Sequence, residues 1–167
     1  LKGLEEESDR RAVEATQYLL RCTTGGVSDA TMARVTVMIR ILAELEDMCD
    51  RGYRLVMLAE RKHRKKRTLP PEVFKQVRDF SHVLLQFMDF ASSRLTTGVA
   101  GSDMETAYQL ENLIVKLRMT LRKASVRRMQ GNAEIIKSEM LYIDILNNIE
   151  VIGDHSLNIL QALRHSD

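Results

Sequence analysis

Apolar residues recur along this chain at intervals of three and four, the period of a helix with one face turned inward, and nowhere do they alternate as a strand requires. The pattern and its punctuation predict five helices. The first runs from about Leu4 to Arg21 and stops at Thr23-Thr24-Gly25-Gly26. Ser28 and Asp29 can cap a second, which continues through Gly52 to about Arg67. Pro70 and Pro71 end it, because proline has no N–H to donate and steers its predecessor away from the α region. Pro71 then suits the first turn of a third helix, to about Leu95. That helix is expected to bury Val77, Phe80, Leu84, Phe87 and Met88. In the loop that follows, Ser102 and Glu105 have the spacing of a capping box, and a fourth helix reaches about Met129. Gly131 and Asn132 mark the last break, before a fifth helix from Ala133 to about His165.

The second and fifth helices repeat one another. Superposed on their acids, Glu46 falls on Glu150 and Asp50 on Asp154, while Ile39, Ile41 and Leu42 fall on Ile143, Ile145 and Leu146. Leu45, Met48, Leu55 and Val56 meet Ile149, Ile152, Ile159 and Leu160. The expected architecture is all-α, with two tandem pseudo-symmetric helical bundles: residues 1–67 form the first and 71–167 a second, three-helix bundle. Only one helix precedes the acid-bearing helix of the first unit, so that bundle is expected to lack its N-terminal helix.

Composition narrows the picture. Hydrophobic residues make up 44% and charged residues 29% of the 167, with only two Pro, which suits long helices around a real core. A net charge of +2 demands no nucleic-acid partner. Cys22 and Cys49 belong to no CxxC pair and read as small buried apolar groups in a reducing cytosol. No apolar run approaches the ~18 residues of a membrane span, and no signal peptide is visible. The chain opens at Leu1 rather than Met, the expectation for a fragment of a longer polypeptide.

The acid pairs carry the candidate chemistry. Leu42, Glu46, Cys49 and Tyr53 share one helical stripe, as do Leu146, Glu150, Gly153 and Leu157, so each Glu stands among apolar residues with an Asp one turn beyond it. Carboxylates at i, i+4 repel one another. Three arrangements relieve that repulsion: a solvated face, pairing with Arg or Lys, or a bound cation. Oxygen ligands suit hard cations such as Mg²⁺, Ca²⁺ or Mn²⁺, and carboxylates also serve iron. The small residues Cys49 and Gly153 would let an ion or another helix approach.

The segment Asn148-Ile149-Glu150-Val151-Ile152-Gly153-Asp154-His155-Ser156-Leu157-Asn158-Ile159 resembles the E-R-I-G-D-H-A-x-N-I-A-E signature of PhoU domains, regulators of phosphate uptake. The likeness rests on Ile149, Glu150, Ile152, Gly153, Asp154, His155, Asn158 and Ile159. Leu45 to Leu55 offers a second copy, and Gln109 to Lys123 resembles the helix that precedes the motif in that family. Asp47, Cys49 and Arg51 depart from the pattern in the first copy, and Val115 stands where the preceding helix often has an acid. The resemblance implies a fold of two three-helix bundles and a divalent metal or iron cluster held by Glu46, Asp50, Glu150 and Asp154. It implies a regulatory domain rather than an enzyme. Its nearest likeness is the cytoplasmic C-terminal portion of a bacterial Na⁺/phosphate cotransporter, acting on a transmembrane transport unit of the same or a partner chain, at the inner face of the membrane. A homodimer is compatible with that role.

Two further signals stand beside the acids. Arg61, Lys62, Arg64, Lys65, Lys66 and Arg67 concentrate positive charge at a helix C-terminus, where cations complement the helix dipole. The same residues could face an anionic membrane; no helix-turn-helix accompanies them to suggest DNA. Glu60 with His63, and Asp79 with His82, have the ExxH-like spacing of di-iron carboxylate sites, but such a centre needs two full motifs and two more Glu. A structural adaptor without metal, and a di-iron enzyme, are the alternatives these patterns leave open.

Overall fold

Ser28 caps the second helix as its side chain requires: Thr31 N–H donates to Ser28 Oγ at 3.2 Å. Local chemistry of this kind sets most of the helix ends in the computed structural model, which describes residues 2–164. These form α1 (Lys2–Cys22), α2 (Asp29–Arg64), α3 (Pro71–Thr97), α4 (Gly101–Gly131) and α5 (Ile136–Arg164), the last entered through a 3₁₀ turn at Ala133–Ile135. There is no strand among the described residues, and the fold is an all-α helical bundle. The expected end of the fifth helix at His165 lies outside the described residues. None of the described helices is long and apolar enough to cross a membrane.

One helix start differs from the sequence expectation. The N-cap of α4 is Ala100, not Ser102, and the Ala100 N–H donates to Asp103 Oδ2 at 2.8 Å. Arg94, in the last turn of α3, pairs with the same carboxylate at 3.0 Å. Asp103 therefore stitches the end of one helix to the start of the next. Those two partners hold its carboxyl below the usual range, the backbone hydrogen bond first.

α2 closes in a Schellman motif. Arg67 N–H donates to Lys62 O at 3.1 Å and Lys66 N–H to His63 O at 3.0 Å. The motif needs a left-handed residue at its C′ position, and Lys66 supplies it with φ 47° where glycine is the usual occupant.

α5 is the centre of the molecule. It packs on α2, α3 and α4, whereas α1 touches α2 alone. Tyr142, Leu146, Ile149, Ile152 and Leu160 of α5 are buried in one cluster with Val73, Phe80, Leu84, Phe87 and Ala91 of α3 and Met104, Ala107 and Ile114 of α4, while Ile159 packs with Ile41 of α2 and Leu141 is also buried. Val77 and Met88, expected in the core, pack against it half-buried. Gly153 permits close contact with a helix rather than an ion: a Cβ there would meet Ile114 Cδ1 at 3.0 Å. α1 has no buried residue and exposes Leu4, Val13, Tyr18 and Leu20. Both cysteines are exposed, correcting their assignment to the core; Cys22 ends α1, and Cys49 lies in a surface groove beside Leu4 and Gly52.

Among the described residues, the one fully buried acid is Glu139, at the start of α5. Arg128 grips both its oxygens, Nε to Oε1 at 2.6 Å and Nη2 to Oε2 at 2.8 Å, and Ser125 Oγ donates to Oε2 at 2.6 Å. A buried charge survives only when paired and hydrogen-bonded in this way. Arg128→Ala strands that carboxylate and is expected to cost about 3–5 kcal/mol in urea denaturation, more than Glu139→Gln. Lys66→Gly removes the left-handed strain and is expected to stabilise the chain by about 1 kcal/mol; a loss of stability would show that the Lys66 side chain matters more than its backbone.

Candidate metal centre

α1 and α2 face one another with acids on both sides of their seam. Glu5 and Asp9 are one turn apart on α1, Glu46 and Asp50 one turn apart on α2. Carboxylate oxygens of Glu5, Asp9 and Asp50 all lie within 4.8 Å of one another, and the three residues are half-buried. Glu46 lies outside that triad but within its electrostatic reach. Its pKa is raised, first by loss of water and then by Asp50, Asp47, Asp9 and Glu5.

No base answers this charge. Three cations of α1 are turned to its other acids: Lys2 pairs with Glu6, Arg10 with Glu7 and Glu14, Arg11 with Glu7. Among the described residues, none of Glu5, Asp9, Glu46 and Asp50 has an ion-pair partner, and Asp9 Oδ1 is buried without a hydrogen bond. The orphaned oxygen and the all-carboxylate donor set fit a hard cation.

The second acid pair is in a different state. Glu150 Oε1 meets Arg118 Nε at 2.5 Å, with both side chains mostly covered. Nε lacks hydrogen-bond alignment there, so the contact is ionic rather than directional. Asp154 is exposed. Its pKa is nonetheless raised, by desolvation first and then by Glu150 and Glu111, with His155 and Arg118 acting the other way. α4 thus brings the second pair a guanidinium of its own, while α1 brings the first pair two more acids. The four residues expected from the sequence divide between two seams: Glu46 and Asp50 join the α1 acids, and Glu150 and Asp154 join Arg118 and Glu111.

The chain matches no family model, and no curated protein matches it. The likeness to PhoU domains rests on the chain's own residues, and the structure gives two of them a task unrelated to metal. His155 Nδ1 and Asn158 Nδ2 both reach Glu44 Oε2, at 2.7 and 3.0 Å. This polar clamp holds α5 against α2, with Glu44 and His155 largely covered. Because an ionised carboxylate only accepts, the imidazole donates from Nδ1, and its Nε2 is buried without a partner.

Sequence reasoning missed Glu5, Asp9 and Glu44. Glu5 and Asp9 have the same i, i+4 spacing as the two recognised pairs, but the run Glu5-Glu6-Glu7 reads as solvated surface. Glu44 carried no local signal, since its partners lie more than a hundred positions away.

The residues of the basic segment have several different neighbours. Lys62 Nζ sits 4.5 Å over the Phe74 ring, and Arg67 Nη1 donates to Lys137 O at 2.7 Å. Lys65 and Lys66 belong to the closing turn of α2, and Arg61 and Arg64 turn to the seam with α5. Glu60 and His63 are exposed, as are Asp79 and His82, and Asp79 is paired with Lys75 at 2.6 Å. The ExxH-like spacings assemble no site among the described residues.

The raised Glu46 pKa has a definite sign. Stability from such a group is present at low pH and is lost as pH rises through the folded-state value. Metal-free protein is therefore expected to gain stability as pH falls from neutrality toward the carboxylate range. Glu46→Gln should stabilise it at pH 7 by about 0.5 kcal/mol, an exposed like-charge effect, and flatten the rise on acidification. Urea denaturation at pH 7 and pH 5 measures both.

Proposed function

We propose that this chain is a non-catalytic, metal-binding regulatory domain of phosphate uptake, similar to the cytoplasmic PhoU-like portion of a Na⁺/phosphate cotransporter. It would act at the inner face of the membrane on a transmembrane transport unit of the same or a partner chain. The observation that carries the reading is the group Glu5, Asp9 and Asp50, three carboxylates within 4.8 Å with no counter-charge. The signature-like segment from Ile149 to Ile159 supports the phosphate-uptake part.

A cation at that seam has a mechanical consequence. α1 has no fully buried residue, touches only α2, and meets it across a seam that includes acids that repel. Glu5, Asp9 and Asp50, with Glu46 beside them, would hold a divalent ion and so cross-link α1 to α2. The ion supplies charge neutralisation and a fixed distance between two helices. Metal occupancy then governs whether α1 is docked, and a docked helix presents a different surface to a transport unit than a released one.

The Arg118–Glu150 pair favours a second reading for the other half of the molecule, a purely structural seam. The two readings separate in one experiment. Protein purified without chelator is expected to contain a divalent metal or iron, lost in Asp9→Asn and Asp50→Asn but retained in Glu150→Gln. Metal at a hundredfold excess over its Kd should stabilise the fold by about 2.7 kcal/mol and slow hydrogen exchange selectively in α1. Failure of every metal tested to alter α1 exchange would leave a helical adaptor.

A further inference from the structure

We infer that the groove between α2 and α5 binds a phosphate group, free or carried on a lipid headgroup, at a site separate from the acid cluster. The groove has a volume of about 530 Å³ and is lined by Arg54, Arg61 and Arg64 of α2 and by Asp144, Asn147 and Asn148 of α5. Arg54 and Arg61 stand two turns apart on one face of α2, about 10 Å along the axis, within joint reach of one tetrahedral anion. Among the described residues none of the three guanidiniums has an ion-pair partner, although Asp144 lines the same groove. Met57 and Leu58 add apolar wall between them.

Three arginines alone would accept any anion. The groove is more particular than that. Asp144 is exposed and unpaired, and Asn148 donates its Nδ2 to Asp144 O at 2.8 Å while its Oδ1 is buried with no donor. Acceptors beside a cationic centre disfavour a fully deprotonated anion and favour one that retains a hydroxyl. At neutral pH inorganic phosphate supplies that P–OH in both its prevailing forms, a phosphate monoester supplies it in its monoanionic fraction, and sulfate does not supply it. Guanidiniums bind the charged oxygens bidentately, and the carboxylate or the amide oxygen takes the remaining proton.

The location gives the site a consequence. α2 bears Glu46 and Asp50 near its middle and Arg54, Arg61 and Arg64 toward its C-terminal end, so one helix touches both the acid seam and this groove. The groove does not depend on the metal, and its test is run in metal-free buffer so that the two readings fail separately.

The test is a titration of the full chain with sodium phosphate, matched in ionic strength by sodium sulfate, following the Arg Nε–H and Asn side-chain NMR signals. The expected result is saturable shifts at Arg54, Arg61, Arg64 and Asn147 with phosphate binding at least tenfold tighter than sulfate. Arg54→Gln with Arg61→Gln should weaken phosphate at least tenfold, and Asp144→Asn should narrow the preference over sulfate. A second arm uses phosphatidylcholine vesicles with and without phosphatidic acid. Binding that requires phosphatidic acid and is lost in the double arginine variant assigns the phosphate to a lipid, whereas saturation by free phosphate alone assigns it to the soluble ion. Equal response to sulfate and phosphate, or vesicle binding unchanged in a well-folded variant, overturns the proposal.

Discussion

The burial of α5 is the constraint on which the rest of the structure depends. A helix whose residues Leu141, Tyr142, Leu146, Ile149, Ile152, Ile159 and Leu160 are all withdrawn from water must be covered on several sides at once. α2, α3 and α4 provide that cover. Each such side chain contributes on the order of 1.5–3 kcal/mol when fully buried, so the apolar faces decide which helices stay together. Most of the covered polar side chains on α5 have partners: Glu139 with Arg128 and Ser125, Tyr142 with Gln76, His155 and Asn158 with Glu44. Burial also pushes the Tyr142 hydroxyl up to about 12, so it stays neutral while it donates to Gln76.

That dependence makes the two repeated helices unequal. Leu42, Leu45, Met48, Leu55 and Val56 of α2 are half-buried, while their counterparts Leu146, Ile149, Ile152, Ile159 and Leu160 are buried. The sequences are alike, but α5 is surrounded and α2 packs mainly against α1 and α5. The same inequality reaches the acids. Beside α5, a well-packed α4 delivers Arg118 to Glu150 and neutralises it. Beside α2, the lightly held α1 delivers Glu5 and Asp9, and the charge accumulates. Stability and chemistry are divided between the two repeated helices: α5 packs, and α2 keeps an electrostatic demand that an ion can meet.

The helices and most of their ends were legible in the sequence, because those depend on neighbours a few residues away. Heptad-scale spacing, the Pro70-Pro71 stop and the Ser28 cap are local, and they gave the all-α fold. The cap of α4 was misread because Asp103 is fixed by Arg94 across a helix boundary as well as by its own turn. Part of the candidate site was also legible, since Asp50, with Glu46 one turn before it, occupies an otherwise apolar stripe. Tertiary structure alone decided which acids are free. Whether a carboxylate meets Arg118 or meets Glu5 and Asp9 depends on how α1 and α4 lie on their partner helices. Coulomb energy follows distance in space, and a sequence records distance only along the chain.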